Sequence, residues 1–341
     1  MRRASRSRLP LADDLDGLND TQRYFVEEHI EDFRDGIIGR RELIRRVAIV
    51  VGSAAAATTL LAACDLSPRS SSTATPTAPA IATASPTAGL VAQPFATPPP
   101  AATTDGITVK ENDPRITVSK PDVKGADGAS LMAYVAKPIA SGRVPGVIVI
   151  HENRGQTEHI RDVARRAATA GFVAVSIDLT ARQGGGDKLG DAATGAIGNL
   201  SLQQKLSDHT AALTYLKANT SGAVGAVGFC FGGGEVWNLV AAGADLKAAV
   251  PYYGPQPSNY QDIGTKAKAA TLAVYAEQDT RITSTAPQME EQLKKAGVPT
   301  QIQVFTGVNH AFHNDTGTRY APDAAQKAWV ATIEWFRKYL V

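Results

Sequence analysis

Gly228-Phe229-Cys230-Phe231-Gly232-Gly233-Gly234 is the stretch on which the reading of this 341-residue chain turns. It closes an apolar, β-branched run at 223–229 and opens a helical pattern from about residue 235, so it reads as strand, tight turn and helix in direct succession. Glycines two before and two after Cys230 let strand and helix approach where a Cβ would clash. Such a turn lifts its central side chain above the end of a sheet, beside a helix N-terminus whose partial positive charge favours a thiolate. In a chain with 30 glycines and two cysteines, Gly-x-Cys-x-Gly is expected by chance only about 0.015 times. The bland alternative is a buried, inert cysteine in a glycine-rich turn.

Outward from this turn, short apolar runs at 131–136, 144–151, 172–178, 248–253, 271–276 and 301–305 alternate with helical patterns at 160–170, 202–217, 286–296 and 324–339. Continuous apolar strands alternating with helices predict an α/β fold, a mostly parallel sheet covered on both faces. A nucleophilic cysteine needs a base, and the base an orienting acid. The loop after 271–276 carries Glu277 and Asp279, and the loop after 301–305 carries His310 and His313. Asp279, farther into its loop, is the candidate acid and His310 the candidate base. A helix cap at Asp279 and a satisfied loop histidine at His310 are the alternatives.

From about Arg115 onward the chain resembles the dienelactone hydrolases, cysteine members of the α/β-hydrolase fold. Gly228-Phe229-Cys230-Phe231-Gly232-Gly233 is similar to the family's nucleophile motif, and Asp279 and His310 fall on its acid and base. His-x-Phe after a strand recurs in such enzymes, which favours His310 over His313. Val147-Ile148-Val149-Ile150-His151-Glu152-Asn153-Arg154-Gly155 resembles the family's third strand. The resemblance implies that Glu152 pairs with the resting cysteine and helps convert it to a thiolate. The backbone N–H groups of Phe231 and Asn153 are the expected oxyanion hole. Asp178-Leu179-Thr180-Ala181-Arg182-Gln183 is similar to the segment whose arginine binds the substrate carboxylate, which implies that role for Arg182. Salt bridging for Glu152 and a solvated surface charge for Arg182 are the competing readings. Tyr252 falls where the family places an aromatic site wall. The chain departs from the pattern at Asn314, four residues after His310, where characterised lactone hydrolases carry a second arginine.

The N-terminal third reads differently. Residues 1–63 have the ingredients of an export signal: a charged region ending Gly39-Arg40-Arg41-Glu42-Leu43-Ile44-Arg45-Arg46, an alanine-rich apolar stretch, and Leu61-Ala62-Ala63-Cys64. The paired arginines resemble a twin-arginine signal and the Leu-Ala-Ala-Cys run a bacterial lipobox, which would make Cys64 the lipidated first residue of the mature protein. An uncleaved anchor helix and an accidental alanine-rich helix remain open. Residues 11–38, with Tyr24, Phe25, Phe33 and Ile37 among acids, have the spacing of an amphipathic helix. Residues 64–104, nearly all Ser, Thr, Ala and Pro, cannot bury enough apolar surface to offset their ordering entropy and predict an extended tether. Residues 105–341 form the catalytic domain.

Composition narrows the remaining classes. With 43% hydrophobic and 20% charged residues the chain is globular, and a net charge of +2 spread evenly gives no electrostatic footprint for nucleic acid. Cys64 and Cys230 make neither a disulfide scaffold nor a four-cysteine zinc site. His151 lacks a second ligand at metal spacing, so no metal and no cofactor is expected. The expectation is a monomeric, exported enzyme, lipid-anchored on the extracytoplasmic face of a bacterial membrane. It would hydrolyse a small-molecule lactone or small ester through a cysteine thioester. A broader carboxylesterase or acyl-transfer enzyme on the same triad is the rival, and a tethered binding protein without turnover a further one.

Overall fold

A computed structural model describes Leu15, 17–62, Leu66, 108–139 and 142–341. Cys64 and, apart from Leu66, the stretch 65–104 expected as a tether lie outside the described residues.

Eight strands form one sheet among the described residues: β1 (Ile116–Ser119), β2 (Tyr134–Pro138), β3 (Gly146–Ile150), β4 (Val173–Ser176), β5 (Val224–Phe229), β6 (Ala248–Tyr252), β7 (Ala270–Ala276) and β8 (Thr300–Phe305). Their order is β1-β2-β4-β3-β5-β6-β7-β8. The pairs β1–β2 and β2–β4 are antiparallel and all others parallel. This is the α/β-hydrolase arrangement. The central strands β3 and β5 are buried at every position, as strands covered on both faces must be. The first strand escaped the sequence reading because it is a four-residue edge strand with alternating burial.

The N-terminal helices are α1 (Asp20–Arg34), α2 (Arg40–Val51) and α3 (Ala54–Ala62). Between the strands come α4 (Glu158–Thr169), the short α5 (Gly186–Leu189) and α6 (Ala192–Gly198), α7 (Leu202–Asn219) and α8 (Phe231–Ala241). The short α9 (Ile263–Lys266) and α10 (Thr280–Thr283), then α11 (Ala286–Ala296) and α12 (Pro322–Leu340), complete the chain. Residues three apart on β5 face opposite sides of the sheet, which sets two layers. Gly225 admits Phe336 of α12 on one side, and Gly228 lies against Gly232 and Val236 of α8 on the other.

The segment read as an export signal is folded onto the catalytic domain. Asn19 caps α1 by accepting from the Gln22 N–H, and its side-chain amide donates to the Gly198 carbonyl at the end of α6 (2.8 Å). Phe25, Val26 and Ile30 of α1 are fully buried, with the Phe25 ring 5.5 Å from that of Phe231. A polar, charged sequence can dock this firmly because one stripe is apolar and the acids on its flanks find arginines. Among the described residues no single helix is long and apolar enough to cross a membrane; α2 and α3 would qualify only as a pair, and they are bent by 116°.

Candidate active site

Cys230 joins β5 to α8 with φ 58° and ψ −123°, a conformation L-residues rarely adopt. The turn tolerates nothing bulkier around it. A Cβ on Gly228 would fall 2.1 Å from the Gly232 carbonyl oxygen, and one on Gly232 would fall 2.5 Å from the carbonyl oxygens of Ile150 and His151. That second approach presses the start of α8 against the end of β3. The Cys230 N–H donates to the Tyr252 carbonyl (3.1 Å), and the residue is 6% exposed.

His310 and Asp279, which the sequence places in separate loops, meet here. His310 Nδ1 lies 2.6 Å from Asp279 Oδ2, with both side chains buried. This contact fixes the ring so that Nε2 faces the nucleophile. Asp279 also accepts from the Ile282 N–H (3.4 Å), so it caps α10 as well as orienting the histidine. Burial alone would push the His310 pKa down; the charges of Cys230 and then Asp279 outweigh it and raise it from 6.5 to about 10.

The rejected candidates are accounted for. Glu277 accepts from the Gly307 N–H (2.8 Å), away from the histidine. His313 is stacked on Phe229 (4.8 Å), and burial, then Arg166 and His159, push its pKa well below 6.5. The aromatic packed against His310 is Tyr253 (4.9 Å), with Phe312 behind it at 5.6 Å. His151 accepts from the Leu179 N–H at Nε2, which leaves Nδ1 to donate to the Glu152 carbonyl, a satisfied structural histidine.

Three expected roles come out differently. Glu152 reaches the site, but its carboxylate accepts from the Asn314 side-chain amide (2.6 Å). What meets Cys230 Sγ is the hydroxyl of Tyr24, at 3.1 Å. Arg182 is not brought to the nucleophile: Asp127 and Asp208 hold its guanidinium with bonds of 2.7 to 2.9 Å, because the loop after β4 turns it toward those acids. Tyr252 is fully buried, its hydroxyl bonded to Thr332 Oγ1 (2.6 Å), so it packs the core beneath the elbow rather than walling the site.

Sequence reasoning missed what α1 contributes. Besides Tyr24, Glu28 reaches in, its Oε2 3.4 Å from His310 Nε2. Arg281, just past Asp279, is bound by Glu27, Glu28 and Glu31, and its guanidinium lies over the Tyr24 ring (5.2 Å). The only signal was the amphipathic spacing of 11–38. A cavity of about 430 Å³ opens onto the nucleophile, lined by Cys230, His310, Glu152, Asn153 and Asn314 and walled opposite by Glu28. Ligand atoms of Glu28, Cys230 and His310 lie within 4.8 Å of one another. The three could hold a thiophilic divalent ion, which would take nucleophile and base out of any reaction.

Comparison with known proteins identifies the family. Residues 131–340 match the dienelactone hydrolase family. A carboxymethylenebutenolidase-type protein of Salmonella typhi is 33% identical over 229 residues, 63% of this chain and 85% of its own. A Bradyrhizobium sp. protein of the 2-oxo-3-(5-oxofuran-2-ylidene)propanoate lactonase type is 30% identical over 231 residues, 63% of this chain and 92% of its own. A crystal structure of a dienelactone hydrolase-type protein from Klebsiella pneumoniae superposes with a TM-score of 0.60 at 29% identity, covering 66% of this chain and 99% of that one. With Cys230, Asp279 and His310 inside the matched span, the chain belongs to the dienelactone hydrolase family, and it is a hydrolase.

Proposed function

We propose that the enzyme cleaves a lactone or small carboxylic ester through a thioester on Cys230. The observation that carries this reading is the 2.6 Å contact of His310 with Asp279 beside a strained nucleophile turn. The Cys230 thiolate attacks the acyl carbon, and the carbonyl π electrons move to oxygen. The resulting oxyanion accepts from the Phe231 and Asn153 N–H groups. As the tetrahedral adduct collapses, the C–O bond to the leaving oxygen breaks and the His310 imidazolium protonates that oxygen. In a lactone the leaving oxygen stays tethered to the acyl group. Neutral His310 then takes a proton from water; the hydroxide attacks the thioester, and the acid and the thiolate–imidazolium pair are regenerated. Mass spectrometry of the protein mixed with p-nitrophenyl acetate and with simple lactones tests this. An acyl adduct on Cys230 that turns over is expected, lost in Cys230→Ala, and the faster substrate class separates lactonase from general esterase. Full turnover by Cys230→Ala would refute the thioester route.

We also propose export and membrane tethering through a lipid on Cys64. Support comes from the arginine pairs, the apolar stretch and the Leu-Ala-Ala-Cys run. Fatty-acid labelling of cells expressing the chain should mark it and fail in Cys64→Ser; equal labelling of both would remove the lipobox reading.

A further inference from the structure

We propose that this site selects uncharged acyl substrates and rejects those carrying a carboxylate, and that α1 builds the selection. As to natural substrates, this rests on the hydrolase reading above; as a property of the cavity around Cys230 it can be tested separately.

Among the described residues, each arginine near the cavity already meets at least one carboxylate. Arg182 lies between Asp127 and Asp208, outside the cavity lining. Arg281, one cation, meets three α1 carboxylates, those of Glu27, Glu28 and Glu31. Arg319 at the cavity wall is held by Asp32 of α1 (2.8 Å) and by Asp35, its C-cap (3.2 Å). Arg46 of α2 lies against Glu42 (2.7 Å) and Asp32 (3.4 Å), and Arg154 against Asp191 (3.1 Å). The wall's positive charge is already matched by fixed acids, three of these arginines by residues of α1.

Around His310, whose Nδ1 is taken by Asp279, the charged side chains that reach in are carboxylates. Glu28 is 7% exposed, lines the cavity and sits 3.4 Å from the base. Glu152, also in the lining, adds a second carboxylate, which accepts from the neutral side-chain amide of Asn314. A substrate carboxylate near the scissile bond would share a partly buried cavity with both of these carboxylates, where like charges are poorly screened. An uncharged ring or ester of a size to fit about 430 Å³ meets no such opposition.

Two alkylating agents of nearly equal size, iodoacetamide and iodoacetate, isolate charge from shape. With each, the Cys230 sulfur forms a bond to the CH₂ carbon as iodide leaves. Rates at Cys230 in the full chain are read by peptide mass spectrometry, which separates Cys64, and the ratio is normalised to that of glutathione. The expected preference for iodoacetamide exceeds glutathione's by about tenfold. Glu28→Gln, whose amide oxygen can still accept from Arg281, should shrink the excess several-fold. Asn314→Arg should bring it to the glutathione value. A wild-type ratio at or below glutathione's overturns the proposal; so does an excess that neither folded variant changes, since the named carboxylates would then not be its cause. Failure of the hydrolase reading looks different: Cys230 is alkylated selectively, yet no ester or lactone is turned over.

Discussion

The hydroxyl of Tyr24 lies 3.1 Å from Cys230 Sγ, joining residues 206 apart in the chain. Burial first, and the charge of Cys230 second, hold the Tyr24 pKa well above 10. The phenol therefore stays protonated at working pH and is able to donate to the sulfur. It occupies the place beside the nucleophile that the family pattern implies for Glu152, whose carboxylate is turned to Asn314. Tyr24→Phe keeps the ring and removes the donor. Hydrogen bonds to charged acceptors contribute about 1.5–3 kcal/mol, so kcat is expected to fall about tenfold with the fold unchanged by circular dichroism. An unaltered kcat would make the tyrosine packing alone.

Arg281 is the pin that holds α1. Its side chain is 16% exposed and binds three carboxylates of that helix. Arg281→Ala would leave those acids without their shared cation. Removing one partner of a buried ionic group costs about 3 kcal/mol. Amide exchange of 20–34 should speed up markedly while the central strands keep their protection. Unchanged exchange in α1 would show that Phe25, Val26 and Ile30 suffice to dock it.

These contacts mark where sequence reading stops. The elbow, Asp279 and His310 were legible because each sits at the end of an apolar strand, and strand ends are local features. Helix α1 was legible as an amphipathic stretch, but nothing local says that its acids meet Arg281 and Arg319, some 250 to 290 residues away. The placement of Arg182 failed for a related reason. The segment around it matches the family, but its partners Asp127 and Asp208 come from elsewhere in the chain and capture the guanidinium. The wall role for Tyr252 came from the family resemblance alone; its hydroxyl instead faces Thr332 of α12.

Docking of α1 should depend on pH through His29. Burial lowers its pKa from 6.5 to about 4, with Asp32 opposing and Arg46 and Arg154 reinforcing the shift. Between pH 4 and 6.5 the undocked helix binds more protons than the docked one. Docking is therefore strongest above pH 6.5 and weakens as pH falls toward 4, by about 3 kcal/mol at most. Amide exchange of α1, corrected for intrinsic rates, should show this acid loosening, and His29→Asn should flatten it. A wild-type profile that is flat over this window would place the sensitivity elsewhere.

Cutting before Cys64, the event the lipobox reading requires, would detach α1, α2 and α3 from the catalytic chain. Cys230 would lose the Tyr24 donor, and His310 would lose the neighbouring Glu28. Arg281 and Arg319 would shed the carboxylates that occupy them, which turns a wall of matched charge into a cationic one. The precursor and the cut form should then differ in charge preference: the kcat/KM ratio of a neutral ester to its carboxylate-bearing analogue is expected to drop about tenfold on cutting. Both forms can be purified from one expressing strain and identified by intact mass. Equal ratios in the two would mean that α1 stays bound after the cut or never governed the choice, and amide exchange at Arg281 and Arg319 distinguishes these, since a bound helix keeps both protected.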